Sequence, residues 1–255
     1  MLRALVERLT GSLGFNRRLP SNLGGSKLYV TTQAGGLRYL FKPMRLIDPP
    51  LLESARRFVQ TGAVVWDIGA NVGLFTFAAA YRAGPAGLVV AVEPDLGNLK
   101  LLTRSIADSR KGLAKIVLVD SAVAGSSGVR NFHIATRSRS ANFLEGYGQI
   151  PAGGTASICR VRTTTLDHLG EIFPLPDVLK IDIEGAELEA LSCCKSLFAK
   201  RPVIICEVSR NAKELTQLFR EQNYDLLDGE GAFAPTTRAT WMTIAIPARP
   251  GWASL

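Results

Sequence analysis

From Val64 onward the chain alternates short apolar, β-branched runs with longer stretches of helical spacing. The runs are AVVWDI, LVVAVE, KIVLVD, VLKIDI and PVIICE, and helical patterns fall at 74–82, 95–108, 187–199 and 211–222. Strands that are apolar on both faces and separated by helices join through right-handed crossovers into a parallel sheet covered on each side. The pattern predicts a doubly wound α/β domain with a mostly parallel, seven-stranded sheet. Near the end, YDLLDG and WMTIAIPA read as strands joined by a loop containing Gly229, Gly231 and Pro235. That loop is too short for a crossover helix, so the last strand should run antiparallel.

Two regions depart from the alternation. Between Asp120 and Thr165, strand-like VRNFHIA and ASICRVRT flank a polar, Gly-rich loop. Such a loop is where substrate contacts concentrate, and the segment from Arg137 to Gly154 is expected to act as a mobile lid. Residues 1–60 read as an extension ahead of one domain over 61–255. Within the extension, Leu2, Leu5, Val6, Leu9 and Leu13 have the spacing of a short amphipathic helix, SNLGGSKLYVTTQAGGLRYLF suggests a small hairpin, and DPPLLESARRFV suggests a helix opened by Asp48.

Charge is concentrated in that extension, where ten Lys/Arg face three acids, +7 of the chain's +8. A basic segment suits an acidic substrate, an anionic membrane surface or nucleic acid, and equally a solvated face. Peripheral membrane contact through the basic N-terminus is one expectation it leaves open. No run approaches the roughly 20 apolar residues of a membrane span. The four cysteines, Cys159, Cys193, Cys194 and Cys206, include no C-x-x-C pair and have no nearby histidine. They suggest neither a zinc site nor a disulfide framework, and a reducing cytoplasm is the expected location.

The first strand runs directly into chemistry: VVWDIGANVGLFTF places Asp67, Gly69, Asn71 and Gly73 at its carboxyl end and at the start of the next helix. Ligands of open α/β sheets bind at that edge, where glycines let backbone approach closely. A dinucleotide turn is G-x-G-x-x-G and cradles a pyrophosphate. Here the glycines are spaced G-x-x-x-G beside a carboxylate that would repel phosphate. The arrangement fits a ligand with an ammonium, a sulfonium and no phosphate, which describes S-adenosyl-L-methionine. Glu93, at the end of the second strand, lies twenty positions beyond Gly73 and can accept bonds from both ribose hydroxyls. Asp120 or Ser121, ending the third strand, can meet the adenine edge. These residues are the candidate cofactor-binding set.

With VVWDIGANVGLFT, AVEPD, TTLDHL, LKIDIEGAELEAL and PVIICEV in order, the chain resembles the FkbM family of S-adenosyl-L-methionine-dependent methyltransferases over roughly residues 60–210. The resemblance implies a class I methyltransferase fold and methyl transfer to a hydroxyl oxygen of a sugar, glycolipid or secondary metabolite. The acceptor would be a small molecule or glycan.

Transfer to an alcohol requires a positioned base. LKIDIEG places Lys180, Asp182 and Glu184 at alternating positions, on one face if the strand continues. Asp182 is the expected catalytic group beside sulfonium and acceptor, and it belongs to the cofactor set as well. Glu184 and Lys180 complete the catalytic candidates, Lys180 more as an ion-pair partner of Asp182 or Glu207 than as a base. Neither His133 nor His168 is expected to be the base, and two carboxylates without a third oxygen ligand predict no metal. A nucleic-acid methyltransferase is the rival enzyme reading. It is disfavoured because IDIEG stands where a Pro-Pro-aromatic base pocket would, and DPPL at Asp48–Leu51 lacks the aromatic. A non-catalytic S-adenosyl-L-methionine-binding protein is the remaining alternative.

Overall fold

The structure is a computed structural model that describes residues 14–34, 38–136, 139–148 and 154–248. The amphipathic helix expected at the N-terminus, and residues 137–138 and 149–153 of the expected lid, lie outside the described residues. In chain order the strands are β1 (Phe15–Arg18), β2 (Lys27–Val30), β3 (Val64–Ile68), β4 (Leu88–Val92), β5 (Lys115–Val119), β6 (Ala122–Val123) and β7 (Gly128–Ala135). They continue with β8 (Phe143–Leu144), β9 (Thr155–Thr164), β10 (Val178–Ile181), β11 (Val203–Glu207), β12 (Tyr224–Asp228), β13 (Ala234–Thr236) and β14 (Met242–Pro247). The α-helices are α1 (Arg38–Phe41), α2 (Pro49–Phe58), α3 (Leu74–Ala83), α4 (Leu96–Ala107), α5 (Leu166–Ile172), α6 (Glu187–Ser192), α7 (Ser196–Lys200) and α8 (Ala212–Glu221).

The central sheet has the order β13-β12-β14-β11-β10-β3-β4-β5. Neighbours among β11, β10, β3, β4 and β5 pair in parallel, and β14 enters antiparallel between β11 and β12. This is the doubly wound order of the class I methyltransferase fold, with eight strands where seven are expected. The extra strand is Ala234–Thr236, which pairs along the outer edge of β12. It forms because the chain doubles back after β12: Phe233 N donates to Asp228 O at 2.8 Å, and Ala232 and Phe233 both take positive φ.

Side-chain alternation along the strands explains the two layers of helix. Val65, Val89, Ala91, Val178 and Ile205 point to the face covered by α2, α3 and α4, in one core with Leu52, Phe75, Phe77 and Leu102. Trp66, Ile68, Val90, Leu179, Ile181 and Ile204 point to the opposite face and pack with Leu169, Leu191, Leu197 and Phe219 from α5 to α8. Leu28 and Val30 of β2 join the first core, so the N-terminal hairpin β1–β2 packs onto the same helices. Asp48 caps α2 by accepting from Leu51 N at 3.1 Å, with prolines in the first turn, as the sequence predicts. Such a cap contributes about 1 kcal/mol.

The departure between Asp120 and Thr165 is a second, four-stranded sheet of order β6-β9-β7-β8. Its long β7–β9 pairing is antiparallel and buries Phe132, Leu144 and Val161 in a small core of its own. Among the described residues no helix is long and apolar enough to cross a membrane.

Candidate functional site

The site begins at the turn after β3. Gly69 N and Ala70 N donate to Val92 O at 2.9 and 3.0 Å, tying the turn to the end of β4. Gly69 has φ +78, and a Cβ there would stand 1.9 Å from Asp182 O. Glycine is required twice over, by conformation and by the close approach of the β10 end. Asn71 holds φ 51, a left-handed conformation that asparagine tolerates, and its buried Oδ1 has no hydrogen-bond partner among the described residues. Gly73 has φ +90, and a Cβ there would meet Leu102 at 2.7 Å. That glycine therefore serves the packing of α3 on α4.

Glu93 at the end of β4 is buried and engaged on both oxygens. Oε2 accepts from Asn71 N at 2.8 Å, and Oε1 accepts from Asp95 N at 2.9 Å and from Asn98 Nδ2 at 3.3 Å. Burial pushes its carboxyl up to about 7, against the pull of these bonds. It lines an open cleft of about 530 Å³ of empty space, part of it open to solvent, together with Gly69, Asn71, Ser121, Asn142 and Asp182. The second sheet supplies the roof through Phe132 and Leu144. It is fastened there by Asp95, the cap of α4, which accepts from Arg139 Nη1 at 2.5 and 2.6 Å and from Asn142 Nδ2 at 2.8 Å.

The end of β10 carries the charges. Lys180 is next to Asp67 in the parallel ladder and shares its face of the sheet. Lys180 Nζ donates to Gly69 O at 2.7 Å and lies 3.4 Å from Asp67 Oδ1 and 3.5 Å from Asp182 Oδ2. Burial opposes its charge, but Asp67, Asp182 and Glu207 outweigh burial and hold the ammonium well above the usual lysine range. Thr76 Oγ1 on α3 donates to the other oxygen of Asp67 at 2.5 Å. Beyond Asp182, Glu184 takes φ 53, and the turn is closed by the Glu187 carboxylate, which accepts from Ile183 N and Gly185 N.

Asp182 and Glu184 also line a second, larger cleft of about 1250 Å³ of empty space, part of it open to solvent, which shares Gly69, Asn71 and Ser140 with the first. Its walls come from elements far apart in sequence: Arg38 and Asp48 near the N-terminus, Lys180 and Glu207 at the strand ends, Glu230 and Trp241 around β13 and β14. Burial raises Glu184 to about 8, reinforced by the charge of Asp182. Burial and Asp182 likewise raise Glu207 to about 8.

Of the residues singled out in the sequence, Gly69, Asn71, Glu93, Ser121, Asp182 and Glu184 meet around these two cavities. Lys180 lies at the wall of the second, and its ion pairs are with Asp67 and Asp182. Asp67 lies beneath the turn with no exposed surface, and the ammonium it faces belongs to Lys180. Asp120 is exposed at the end of β5 and outside both linings. His168 is exposed on α5, and His133 stacks on Phe143 within the second sheet. Among the described residues no group of three or more His, Cys, Asp or Glu is placed to hold a metal ion. Arg139, Asn142, Trp241 and the cavity role of Asp48 have no local sequence signal, because each reaches the site from a distant element.

The profile of the methyltransferase FkbM domain matches residues 67–226. The hexuronic acid methyltransferase AglP of Haloferax volcanii is 26% identical over 160 residues, 62% of each chain. The chain thus spans less than two thirds of the length of that relative. Among solved structures, an S-adenosylmethionine-dependent O-methyltransferase from Thermotoga maritima superposes with a TM-score of 0.43 at 14% identity, covering 92% of this chain and 78% of the other. The fibrillarin of Aeropyrum pernix, solved with bound S-adenosyl-L-methionine, gives 0.41 at 11% identity, covering 92% and 83%.

Proposed function

The chain belongs to the methyltransferase FkbM domain family, and we propose that it transfers a methyl group from S-adenosyl-L-methionine to a hydroxyl oxygen of a neutral, sugar-like acceptor. The observation that carries this reading is the meeting of two cavities at Asp182 and Glu184, one lined by Glu93, Asn71 and Ser121 as a nucleoside needs, the other open to a larger molecule. The residues fit the cofactor: Glu93 offers a buried carboxylate to ribose hydroxyls, and Asn71 lines the same space. When bound, S-adenosyl-L-methionine supplies an electrophilic methyl on a sulfonium. Residues 1–60 act as an extension that walls the acceptor cavity through Arg38 and Asp48, and 61–255 form the catalytic domain.

Within this reading Asp182 orients the acceptor hydroxyl and takes its proton, standing where both cavities are accessible. Lys180 holds Asp182 from behind and keeps the Gly69 carbonyl in place, a positioning role. Glu184 and Glu207, each raised to about 8, are carboxyl groups able to donate or accept bonds to further hydroxyls near neutral pH.

The acceptor's charge follows from the same lining. Asp48, Asp182 and Glu230 face the second cavity against Arg38 and Lys180, Lys180 is already matched by Asp67, and Glu184 and Glu207 beside them keep their protons up to about 8. A uronate, the acceptor class in the name of the Haloferax relative, would bring its own carboxylate among these groups, where like charges repel. A neutral ring would find acceptors for its hydroxyls and the half-exposed indole of Trp241 beside them.

The test is transfer of radiolabelled methyl to a panel of neutral p-nitrophenyl hexosides and to the matching glucuronide. Neutral glycosides should be methylated and Asp182→Asn should lower the rate by about 10² to 10⁴ with cofactor affinity kept. Preference for the glucuronide would overturn the neutral acceptor, and an Asp182→Asn enzyme of unchanged rate would overturn the catalytic assignment.

A further inference from the structure

The stretch from Arg38 to Asp48 lines the second cavity with its two ends, Arg38 and Tyr39 at one and Ile47 and Asp48 at the other. Its middle turns away from the cavity. Tyr39, Met44 and Ile47 are buried and anchor it, whereas Phe41 is 72% exposed and Leu46 48%. Lys42, Pro43 and Arg45 between them are exposed as well. The turn is braced from below by Arg17, which donates to Leu40 O at 3.2 Å and to Lys42 O at 2.7 Å. It is therefore a held feature of the fold that presents a phenyl ring, a leucine and two cations to the outside at the rim of the acceptor cavity.

The segment that carries it, up to Ile47, has charge of one sign. Residues 14–47 contain Arg17, Arg18, Lys27, Arg38, Lys42 and Arg45 and no Asp or Glu. Lys27 is paired with Asp108, while Lys42 and Arg45 form no ion pair among the described residues. Apolar side chains interleaved with exposed cations on one turn match the two components of an anionic bilayer surface, acyl chains beneath and negative headgroups above. The cavity interior, rich in carboxylates, has the opposite sign.

We propose that the Phe41–Leu46 turn is a docking lip for an anionic membrane surface, which sets the mouth of the acceptor cavity against lipid headgroups. Phe41 and Leu46 enter the interface while Lys42 and Arg45 meet phosphate groups. A lip of this size gives weak, reversible attachment, suited to an enzyme that visits the surface rather than residing in it. The lip stands on its own exposure and charge. Only its purpose, presentation of an acceptor carried on a lipid, rests on the function proposed above.

The experiment is co-sedimentation of the full chain with phosphatidylcholine vesicles containing about one third phosphatidylglycerol, beside vesicles of phosphatidylcholine alone. It needs no acceptor and no turnover, so it fails or succeeds independently of the methyl-transfer reading. The chain should pellet with the anionic vesicles only, and less so as salt is raised. Phe41→Ser should weaken binding at least about tenfold, and Lys42→Ala and Arg45→Ala about fivefold each. Melting curves and S-adenosyl-L-methionine affinity, unchanged in all three, would establish that the variants are folded. No pelleting, or pelleting that the three substitutions leave unaltered and deletion of residues 2–13 abolishes, would overturn the lip. Concentration-dependent dimerisation that Phe41→Ser dissolves would also overturn it, by assigning the turn to a second copy of the chain.

Discussion

Lys180→Met probes the charge cluster on which the site is built. The substitution keeps most of the apolar stem and removes the ammonium from between Asp67 and Asp182. At 3.4 Å from Asp67 Oδ1, two unit charges attract by about 5 kcal/mol at an effective dielectric near 20. The net loss is governed by what is left behind. Asp67 is fully buried, and its Oδ1 has the ammonium for company but no hydrogen bond among the described residues. Removing one partner of a buried pair costs about 3–5 kcal/mol, and the bond to Gly69 O adds about 1. Urea unfolding should therefore register a loss of about 4 kcal/mol or more, a large part of the 5–15 kcal/mol typical of a folded domain. Asp67→Asn made on the Lys180→Met background should recover part of it, with a coupling energy of about 1–3 kcal/mol between the two positions. A loss below about 1 kcal/mol, or two losses that simply add, would refute the claim that this pair holds the turn.

Gly69→Ala should destabilise far more than Gly112→Ala: both glycines have positive φ, but only at Gly69 would a Cβ meet backbone, Asp182 O at 1.9 Å. Thermal melts of the two variants separate close approach from conformation, whose share is about 1–2 kcal/mol, and equal costs would remove the close-approach argument. The pH dependence of stability should also carry a mark of the site. Burial and Asp182 raise Glu184 from 4.5 to about 8, so between those values the folded chain keeps a proton that the unfolded chain has released. Stability from this group is therefore lost as pH rises through that window, the reverse of a salt-bridged carboxylate. Glu184→Gln should flatten the slope and leave the part due to Glu207; melts whose pH profiles run parallel would contradict the assignment.

Much of this architecture is legible in the sequence because it is local. The strand VVWDI is apolar, β-branched and followed at once by Gly69, so its end and its turn announce themselves, and Glu93 and Asp182 close their strands in the same manner. Asp67 has a destination that local reading does not give. Its partner is 113 positions away, and only the register of β3 against β10 decides that the two share a face. The roof of the first cavity is hidden for a similar reason: Arg139 and Asn142 look like loop residues until the second sheet folds back onto Asp95. The eighth strand is three residues long and contains Pro235, so it has neither the length nor the alternation that marks a strand. Trp241 and Asp48 become neighbours of one cavity only through the order of the sheet.

The central claim is that the cavity around Glu93 is a nucleoside site for S-adenosyl-L-methionine, and calorimetric titration of that compound into the full chain tests it most directly. The account predicts saturable binding to the unaltered protein. Glu93→Gln, nearly isosteric but lacking the second acceptor oxygen and the charge, should weaken it by about 10- to 150-fold, the factor that loss of a charged hydrogen bond represents. A melting curve taken beside it should show the variant folded. Absence of binding to the unaltered chain, or equal affinity in the folded Glu93→Gln variant, would contradict the account.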